Sequence, residues 1–174
     1  MYWKTLSSKM KADFPLFKVF EDKVKLPNGL KLDYYRVEKI PVVVILPLIS
    51  DKILLVKQYR YPIKLVSLEL PAGHMKTDET PKECAIRELK EETGYLAGKI
   101  EKLLSYHPST EYSDQIYHIF IAKNLKEGKT DREKYEIMGV ELLEKEKVIE
   151  KILKGEITDG RTITAIFIEK YINI

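Results

Sequence analysis

Three carboxylates and one arginine stand close together near the middle of the chain. Arg87 and Glu88 are adjacent, and Glu91 and Glu92 follow one turn of helix later. Because each residue of an α-helix advances by roughly 100°, the three carboxylates share one arc of a helix. Like charges at these spacings repel, at a cost of roughly 0.2–0.5 kcal/mol per pair. A bound divalent cation removes that repulsion, and hard oxygen ligands favour Mg²⁺ or Mn²⁺ over zinc.

The residues around this group predict such a helix. Thr80, Pro81 and Glu83 form a capping box with proline at the first helical position. Gly94 can adopt a positive φ and is predicted to end the helix. The face predicted to pack on a core, away from the carboxylates, comprises Ala85, Ile86 and Leu89.

The spacing of the whole segment is as informative as its carboxylates. It fits G-x5-E-x7-R-E-U-x-E-E-x-G-U, where U is a bulky apolar residue. The matching positions are Gly73, Glu79, Arg87, Glu88, Leu89, Glu91, Glu92 and Gly94. In this the segment resembles the signature of the Nudix hydrolases, although Tyr95 stands where the family more often has an aliphatic residue. Glutamate-rich helix faces are usually solvated surface, but this many matches at fixed spacing favour the family.

Segments on either side resemble one subgroup of that family, the ADP-ribose pyrophosphatases. Residues 56–62 read VKQYRYP, and residues 69–73 read ELPAG. Residues 107–115, HPSTEYSDQ, resemble the subgroup less closely, because Thr110-Glu111 replaces Pro-Gly and Gln115 replaces a glutamate. Pro108 fits the proline that marks the subgroup beyond the signature. The loss of a carboxylate at Gln115 leaves GDP-mannose and other nucleoside diphosphate sugars as alternative substrates.

The resemblance implies a mixed α/β fold, an α/β/α sandwich with a central mixed sheet and an N-terminal antiparallel strand region. Alternation over residues 17–25 and 30–37, around a turn at 26–29, predicts a hairpin. The apolar run 42–46 predicts a buried central strand. We expect one Nudix domain over residues 1–174, with about 1–40 as strands involved in dimerisation and about 41–174 as the catalytic core.

The resemblance also implies a metal site. Glu88 and Glu92 are the expected principal ligands of Mg²⁺, or of Mn²⁺ as a substitute. Glu91 assists, and the backbone carbonyl of Ala72 is a further ligand. Arg87 is expected to hold the catalytic glutamates in position, and its own spacing from Glu91 also suits an ordinary helical ion pair.

The general base and the substrate pocket are assigned by position. In the subgroup the base, or an extra metal-binding glutamate, comes from a mobile loop beyond the signature, and residues 125–134 occupy that place here. Glu133 is the first candidate and Asp131 the second, the alternative being solvated loop charges. The planar fork of Arg60 suits a phosphate or ribose, the alternative being a surface ion pair. Further pocket candidates are Glu69, Pro108 and Gln115.

The predicted activity is Mg²⁺-dependent hydrolysis of a pyrophosphate bond, with ADP-ribose giving AMP and ribose 5-phosphate. Metals held by the carboxylates neutralise the diphosphate and activate a water. A pyrophosphatase for another nucleoside diphosphate sugar and a housecleaning nucleoside triphosphatase are alternatives, the second disfavoured by the QYR and ELPAG segments. A nucleotide-sensing Nudix-fold binding module is the non-enzyme alternative, disfavoured because all the signature glutamates are present.

The amino-acid composition limits the classes of binding partner and the cellular location that we expect for this protein. Hydrophobic residues are 44% of the chain and charged residues 33%, as in a soluble globular protein. The net charge of +3 comes without a basic block, so neither nucleic acid nor membrane is an expected partner. The lone Cys84 fits a reducing cytoplasm, and we expect it to pack in the interior. The resemblance implies a homodimer acting on a small nucleoside diphosphate derivative.

Overall fold

The computed structural model describes residues 2–128 and 139–171. These residues fall into two compact units. We call residues 2–41 and 106–116 the N-terminal unit, and the described residues of 42–105 and 117–171 the core unit. Within the described ranges, no helix combines the length and the apolar character needed to cross a membrane.

The N-terminal unit is built on a three-stranded antiparallel sheet in the order β1-β2-β3. Its strands are β1 (Lys4–Phe14), β2 (Phe17–Lys25) and β3 (Lys31–Lys39). The predicted hairpin is confirmed: Gly29 adopts a φ of +88° in the turn, and Val24 pairs with Leu32. Strand β1 has no counterpart among the individual strands predicted from sequence.

Residues 106–116 complete this unit as a loop attached to β3. The amide of Val37 donates to the carbonyl of Tyr112 at 2.7 Å, and the amide of Lys39 donates to Asp114 Oδ1 at 3.0 Å. The side-chain amide of Gln115 donates to the carbonyl of Ile40 at 2.9 Å. The loop therefore supplies hydrogen-bond partners to one strand edge of the N-terminal sheet.

The core unit is organised around a mixed sheet of seven strands, as predicted. Its order is β10-β5-β4-β9-β8, with β6 paired to β5 and β7 to β4. The strands are β4 (Val42–Ile49), β5 (Lys52–Arg60), β6 (Leu65–Glu69), β7 (Ala72–His74), β8 (Tyr95–Tyr106), β9 (Tyr117–Glu127) and β10 (Gly139–Glu144). Strand β4 runs parallel to β9 and antiparallel to β5 and β7. Its residues 42–46 are buried, which confirms the predicted central strand.

Three helices are described in the core unit: α1 (Pro81–Thr93), α2 (Lys145–Leu153) and α3 (Gly160–Glu169). The capping box of α1 is confirmed, since the backbone amide of Thr80 donates to Glu83 Oε2 at 2.8 Å and its hydroxyl accepts from the amide of Glu83. Gly94 ends α1 with a φ of +81°. Asp159 caps α3 by accepting from the amide of Thr162 at 3.0 Å.

Helix α1 packs on the sheet through Cys84, Ala85 and Leu89, which are fully buried against β4 and β9. The prediction for Ile86 is wrong, because its side chain is 45% exposed. At about 100° per residue, Ile86 points away from the arc that Ala85 and Leu89 share with the carboxylates. The core side of α1 therefore overlaps the carboxylate side and does not oppose it.

The loop predicted over residues 125–134 begins later than expected, because β9 continues to Glu127. The described residues resume at Gly139, where β10 begins and runs to Glu144. Asp131 and Glu133 lie outside the described residues.

Replacing Thr80 by alanine tests whether the cap holds the start of α1. The variant loses the acceptor for the amide of Glu83, and we expect it to lower the free energy of unfolding by about 1 kcal/mol. Urea titration followed by circular dichroism measures this change. Thr110→Ala, at an exposed loop threonine, is the matched control and is expected to stay within about 0.5 kcal/mol of wild type. Equal effects of the two variants would contradict the role of the cap.

Candidate active site

Arg87 is the centre of the charged group on α1. Its Nε and Nη2 donate to the two carboxylate oxygens of Glu79, at 2.7 and 2.9 Å. Its Nη1 donates to Glu91 Oε2 at 2.9 Å and also to Glu88 Oε1. Its Nη2 reaches the backbone carbonyl of His74, at 3.1 Å. One guanidinium thus joins the helix, the preceding loop and the end of β7.

The charges around Arg87 stabilise one another. Hydrogen bonding from Arg87 holds the pKa of Glu79 at about 2, against the opposing effect of burial. The amide of Lys76 also donates to Glu79, at 2.9 Å, so this carboxylate is bonded within its own loop, as the sequence predicted. Glu79 in turn raises the pKa of Arg87, which stays charged throughout the accessible pH range.

Glu88 and Glu92 lie on the inward arc of α1 and are both buried. Glu92 Oε2 accepts a hydrogen bond from the amide of Ala72 at 3.0 Å. The Glu88 carboxylate lies against Gly73, where an added Cβ would come within 2.0 Å of Glu88 Oε1. A side chain at residue 73 would therefore have to displace the Glu88 carboxylate.

Strand β7 is held in place from its other side by β4. Ala72 pairs with Val44, and the amide of Ile45 donates to the carbonyl of Pro71 at 2.9 Å. The helix carboxylates therefore meet a backbone segment that the central strand fixes. The contact described for Ala72 uses its amide, and the ligand role of its carbonyl stays a prediction.

The donor set fits a divalent cation in its chemistry. Three carboxylates contact Arg87, and Glu92 lies one turn from Glu88 with a buried carboxylate of its own. One guanidinium cannot neutralise this much negative charge, and carboxylate oxygens are the donors that Mg²⁺ and Mn²⁺ prefer. Among the described residues, however, no three acidic, histidine or cysteine side chains converge as a ready-made cluster. Glu88 and Glu91 are directed toward Arg87 instead.

A second charged cluster surrounds Glu69 at the end of β6. Arg60 of β5 donates to both of its oxygens, from Nε at 2.9 Å and from Nη2. Arg161 of α3 donates to Glu69 Oε2 at 2.6 Å and to Asp159 Oδ1 at 2.9 Å. Burial raises the pKa of Glu69, but the bonds and charges of the two arginines outweigh it and leave the pKa below its usual value.

This cluster lines a cavity of about 320 Å³. Of the predicted pocket residues, Arg60 and Glu69 are thus brought together by the structure, with Arg161 and Asp159 beside them. The charge of Glu92 is among the lesser causes of the raised pKa of Arg60, after the hydrogen bond to Glu69. The charge of Glu92 on α1 is therefore near enough to act on Arg60 in the cavity.

Sequence reasoning missed both Arg161 and Asp159 as residues of the cavity. Arg161 stands 92 positions from Glu69, and no spacing rule joins an arginine to a carboxylate at that distance. The only local signal was the cap at Asp159, which placed Arg161 in the first turn of the helix.

The other two predicted pocket residues belong to the N-terminal unit. Pro108 is exposed in its loop, whereas Gln115 is buried and bonded to the carbonyl of Ile40. The carbonyl of Gln115 is also 3.0 Å from His107 Nδ1. The contacts described for Gln115 are thus those of a residue that holds its loop together.

Comparison with known proteins gives consistent matches. The model of the NUDIX domain matches residues 38–165, and that of the nucleoside diphosphate sugar hydrolase N-terminal domain matches residues 3–37. An ADP-ribose pyrophosphatase of Bacillus subtilis is 34% identical over 167 residues, covering 94% of this chain and 90% of its own. A methanol dehydrogenase activator of Bacillus methanolicus is 31% identical, with the same coverage. The crystal structure of an ADP compounds hydrolase superposes with a TM-score of 0.88 at 22% identity, covering 98% of this chain and 94% of its own.

Replacing Gly73 by alanine tests the close approach of Glu88. We expect the variant to fold, because the clash involves only the far end of a flexible side chain. The displaced carboxylate should weaken Mn²⁺ binding by about tenfold or more, as measured by isothermal titration calorimetry. Gly139→Ala is the control, since its added Cβ would lie an ordinary 3.5 Å from Lys57. An unchanged Mn²⁺ affinity in Gly73→Ala would show that Glu88 does not hold the cation.

Acid should weaken the Arg87 cluster through Glu79. Because the folded-state pKa of about 2 lies below the ordinary 4.5, this carboxylate stabilises the fold fully above pH 4.5. That contribution is lost as the pH falls from 4.5 toward 2. We therefore expect Glu79→Gln to lose less thermal stability than the wild type over this interval in scanning calorimetry. Glu146→Gln, at an exposed position of α2, should follow the wild type, and parallel curves for all three proteins would refute the linkage.

Proposed function

Because the chain belongs to the Nudix family of hydrolases, we propose that it hydrolyses the pyrophosphate bond of a nucleoside diphosphate sugar, with ADP-ribose as the first candidate. The observation that carries the proposal is the short segment 69–73. Its first residue, Glu69, lies in the Arg60 cavity, and Ala72 and Gly73 contact Glu92 and Glu88. A substrate anion held beside Arg60 is thereby placed near the carboxylates of α1.

The cation we propose for this site is Mg²⁺, with Mn²⁺ as a substitute. Glu88 and Glu92 are the proposed main ligands, assisted by Glu91 and by the carbonyl of Ala72. When bound, the cation supplies charge neutralisation of the diphosphate and activation of the attacking water. The chemical fit rests on the buried oxygen donors and on negative charge in excess of what Arg87 neutralises.

Arg87 is proposed to act by positioning. It fixes Glu88 and Glu91 on one side and Glu79 on the other, and its bond to the carbonyl of His74 ties the group to β7. Carboxylates held in this way keep their geometry without the entropic cost of ordering long side chains at each turnover. The residue therefore contributes to catalysis without contacting the substrate.

The substrate pocket is proposed to use the Arg60 fork for a phosphate or ribose, with Glu69 holding the fork. Pro108 and Gln115 are the further substrate-binding residues proposed from the sequence. The similarity to the ADP-ribose pyrophosphatase of Bacillus subtilis supports ADP-ribose. The family match of residues 3–37 supports the wider class of nucleoside diphosphate sugars, in which GDP-mannose is the alternative substrate.

Three further parts of the proposal rest on sequence. Glu133, or else Asp131, serves as the general base. The protein acts in the cytoplasm as a homodimer, with about residues 1–40 engaged in dimerisation and about 41–174 carrying the chemistry. The single cysteine supports the cytoplasmic location. The family resemblance supports the general base and the homodimer.

A turnover panel with Mg²⁺ tests the proposed function. ADP-ribose, GDP-mannose, a diadenosine polyphosphate and an oxidised nucleoside triphosphate are compared by kcat/KM, with AMP release followed where relevant. We expect ADP-ribose to be preferred. Preference for the triphosphate would replace the proposal with a nucleotide-cleaning role, and binding without turnover would indicate a sensor.

Glu92→Gln separates the chemistry from the fold. Its amide oxygen can still accept from the amide of Ala72, so we expect a normal melting temperature. Loss of the charge should lower kcat on the order of 10²–10³-fold. Glu146→Gln is the control and should keep its kcat within about twofold, because it removes an exposed charge on α2. Full activity in Glu92→Gln would remove the α1 carboxylates from the mechanism.

A further inference from the structure

The first turn of α3 reaches back to the end of β6 at two adjoining positions. Arg161 donates to Glu69 at 2.6 Å, and the hydroxyl of Thr162 accepts from the amide of Leu70 at 2.8 Å. Both α3 residues are also bonded to Asp159. Two successive residues of the helix therefore hold two successive residues of the segment that leads from the cavity to the α1 carboxylates.

Glu69 is shared between two arginines that differ in exposure. Its side chain is 3% exposed, that of Arg161 is 18% exposed and that of Arg60 is 35% exposed. Arg60 uses its Nε and Nη2 for Glu69, so its Nη1 takes no part in this ion pair. Arg161 is the less exposed of the two arginines, so it contacts Glu69 from the interior of the protein.

The charge balance of the cavity depends on this second arginine. Glu69 and Asp159 carry two negative charges, and Arg60 and Arg161 carry two positive ones. Without Arg161, the charge of Arg60 would be exceeded by the two carboxylates beside it. A cavity with net negative charge repels an anion, and the repulsion is strong where groups are partly buried.

We propose that Arg161 is a positioning residue for substrate binding. It holds Glu69 and balances its charge, so that Arg60 can present a positive fork to the diphosphate of the substrate. The inference rests on the proposed function, which supplies the anionic substrate. It gives the first turn of α3, which lines the cavity together with residues of β5 and β6, a role in substrate binding, and predicts that α3 affects binding more than the chemical step.

The test compares Arg161→Gln with Arg161→Lys and with Glu169→Gln. Glu169 lies at the other end of α3, is similarly exposed, and loses an ion pair with Lys145 in the variant, so it controls for a general weakening of the helix. KM and kcat are measured with Mg²⁺ for ADP-ribose and GDP-mannose. The dissociation constants of both compounds are measured by calorimetry without metal, and melting temperatures are recorded for each protein.

Arg161→Gln is expected to raise KM and the dissociation constant about tenfold while kcat stays within about twofold. Arg161→Lys restores the positive charge and should recover both constants to within about threefold of the wild type. Glu169→Gln should leave both unchanged, even where its melting temperature falls by a similar amount. Equal constants for Arg161→Gln and Glu169→Gln overturn the inference, and so does a failure of Arg161→Lys to recover binding.

Failure of the proposed function gives a different result. A wild type that binds one of the compounds without hydrolysing it overturns the function, and the inference then stands or falls on the dissociation constants of the variants. A wild type that neither binds nor hydrolyses either compound overturns both.

Discussion

The candidate site depends on how a mostly buried guanidinium is shared. Arg87 bonds to Glu79 through one edge and to Glu88 and Glu91 through another nitrogen. Buried carboxylates without hydrogen-bond partners are costly, and the five donors of one arginine fork can bond several carboxylates at once. The loop before α1, the helix itself and strand β7 are all anchored to this one side chain. A shift of any of these three elements therefore changes the positions of the carboxylates.

The short segment 69–73 connects the charged cluster around Arg87 with the charged cluster around Glu69. Its residues are bonded to α3 through the Glu69 side chain and the Leu70 amide, to β4 through the Pro71 carbonyl, and to α1 through the Ala72 amide. Four successive residues thus have partners on three different elements. The Arg60 cavity and the α1 carboxylates are separated by only a few residues of fixed backbone, so their spacing is set by the fold and does not rely on loop flexibility.

Local rules allowed much of this to be predicted from the sequence. The start and end of α1 depend on Thr80, Pro81 and Gly94, which act within one turn of helix, and the structure has them as predicted. Strand β1 could not be assigned individually because its residues are almost all exposed and show no burial alternation. Ile86 was misplaced because the core face was predicted to lie away from the carboxylates, whereas two of the carboxylates are themselves buried. The pairing of Arg161 with Glu69 joins residues far apart in the chain, and only the tertiary structure reveals it.

The N-terminal unit is discontinuous in the chain, and this has a consequence for folding. Its sheet is formed by residues before 41, but the amide of Val37 and the carbonyl of Ile40 find their partners only in residues 106–116. During synthesis the hairpin emerges first, yet these two strand-edge groups must wait until β4 to β8 have been made. Contacts of such long sequence separation slow folding. The nascent hairpin therefore exposes a strand edge whose hydrogen-bonding groups are not all paired. At this stage of synthesis the chain is most able to associate with strands of other molecules.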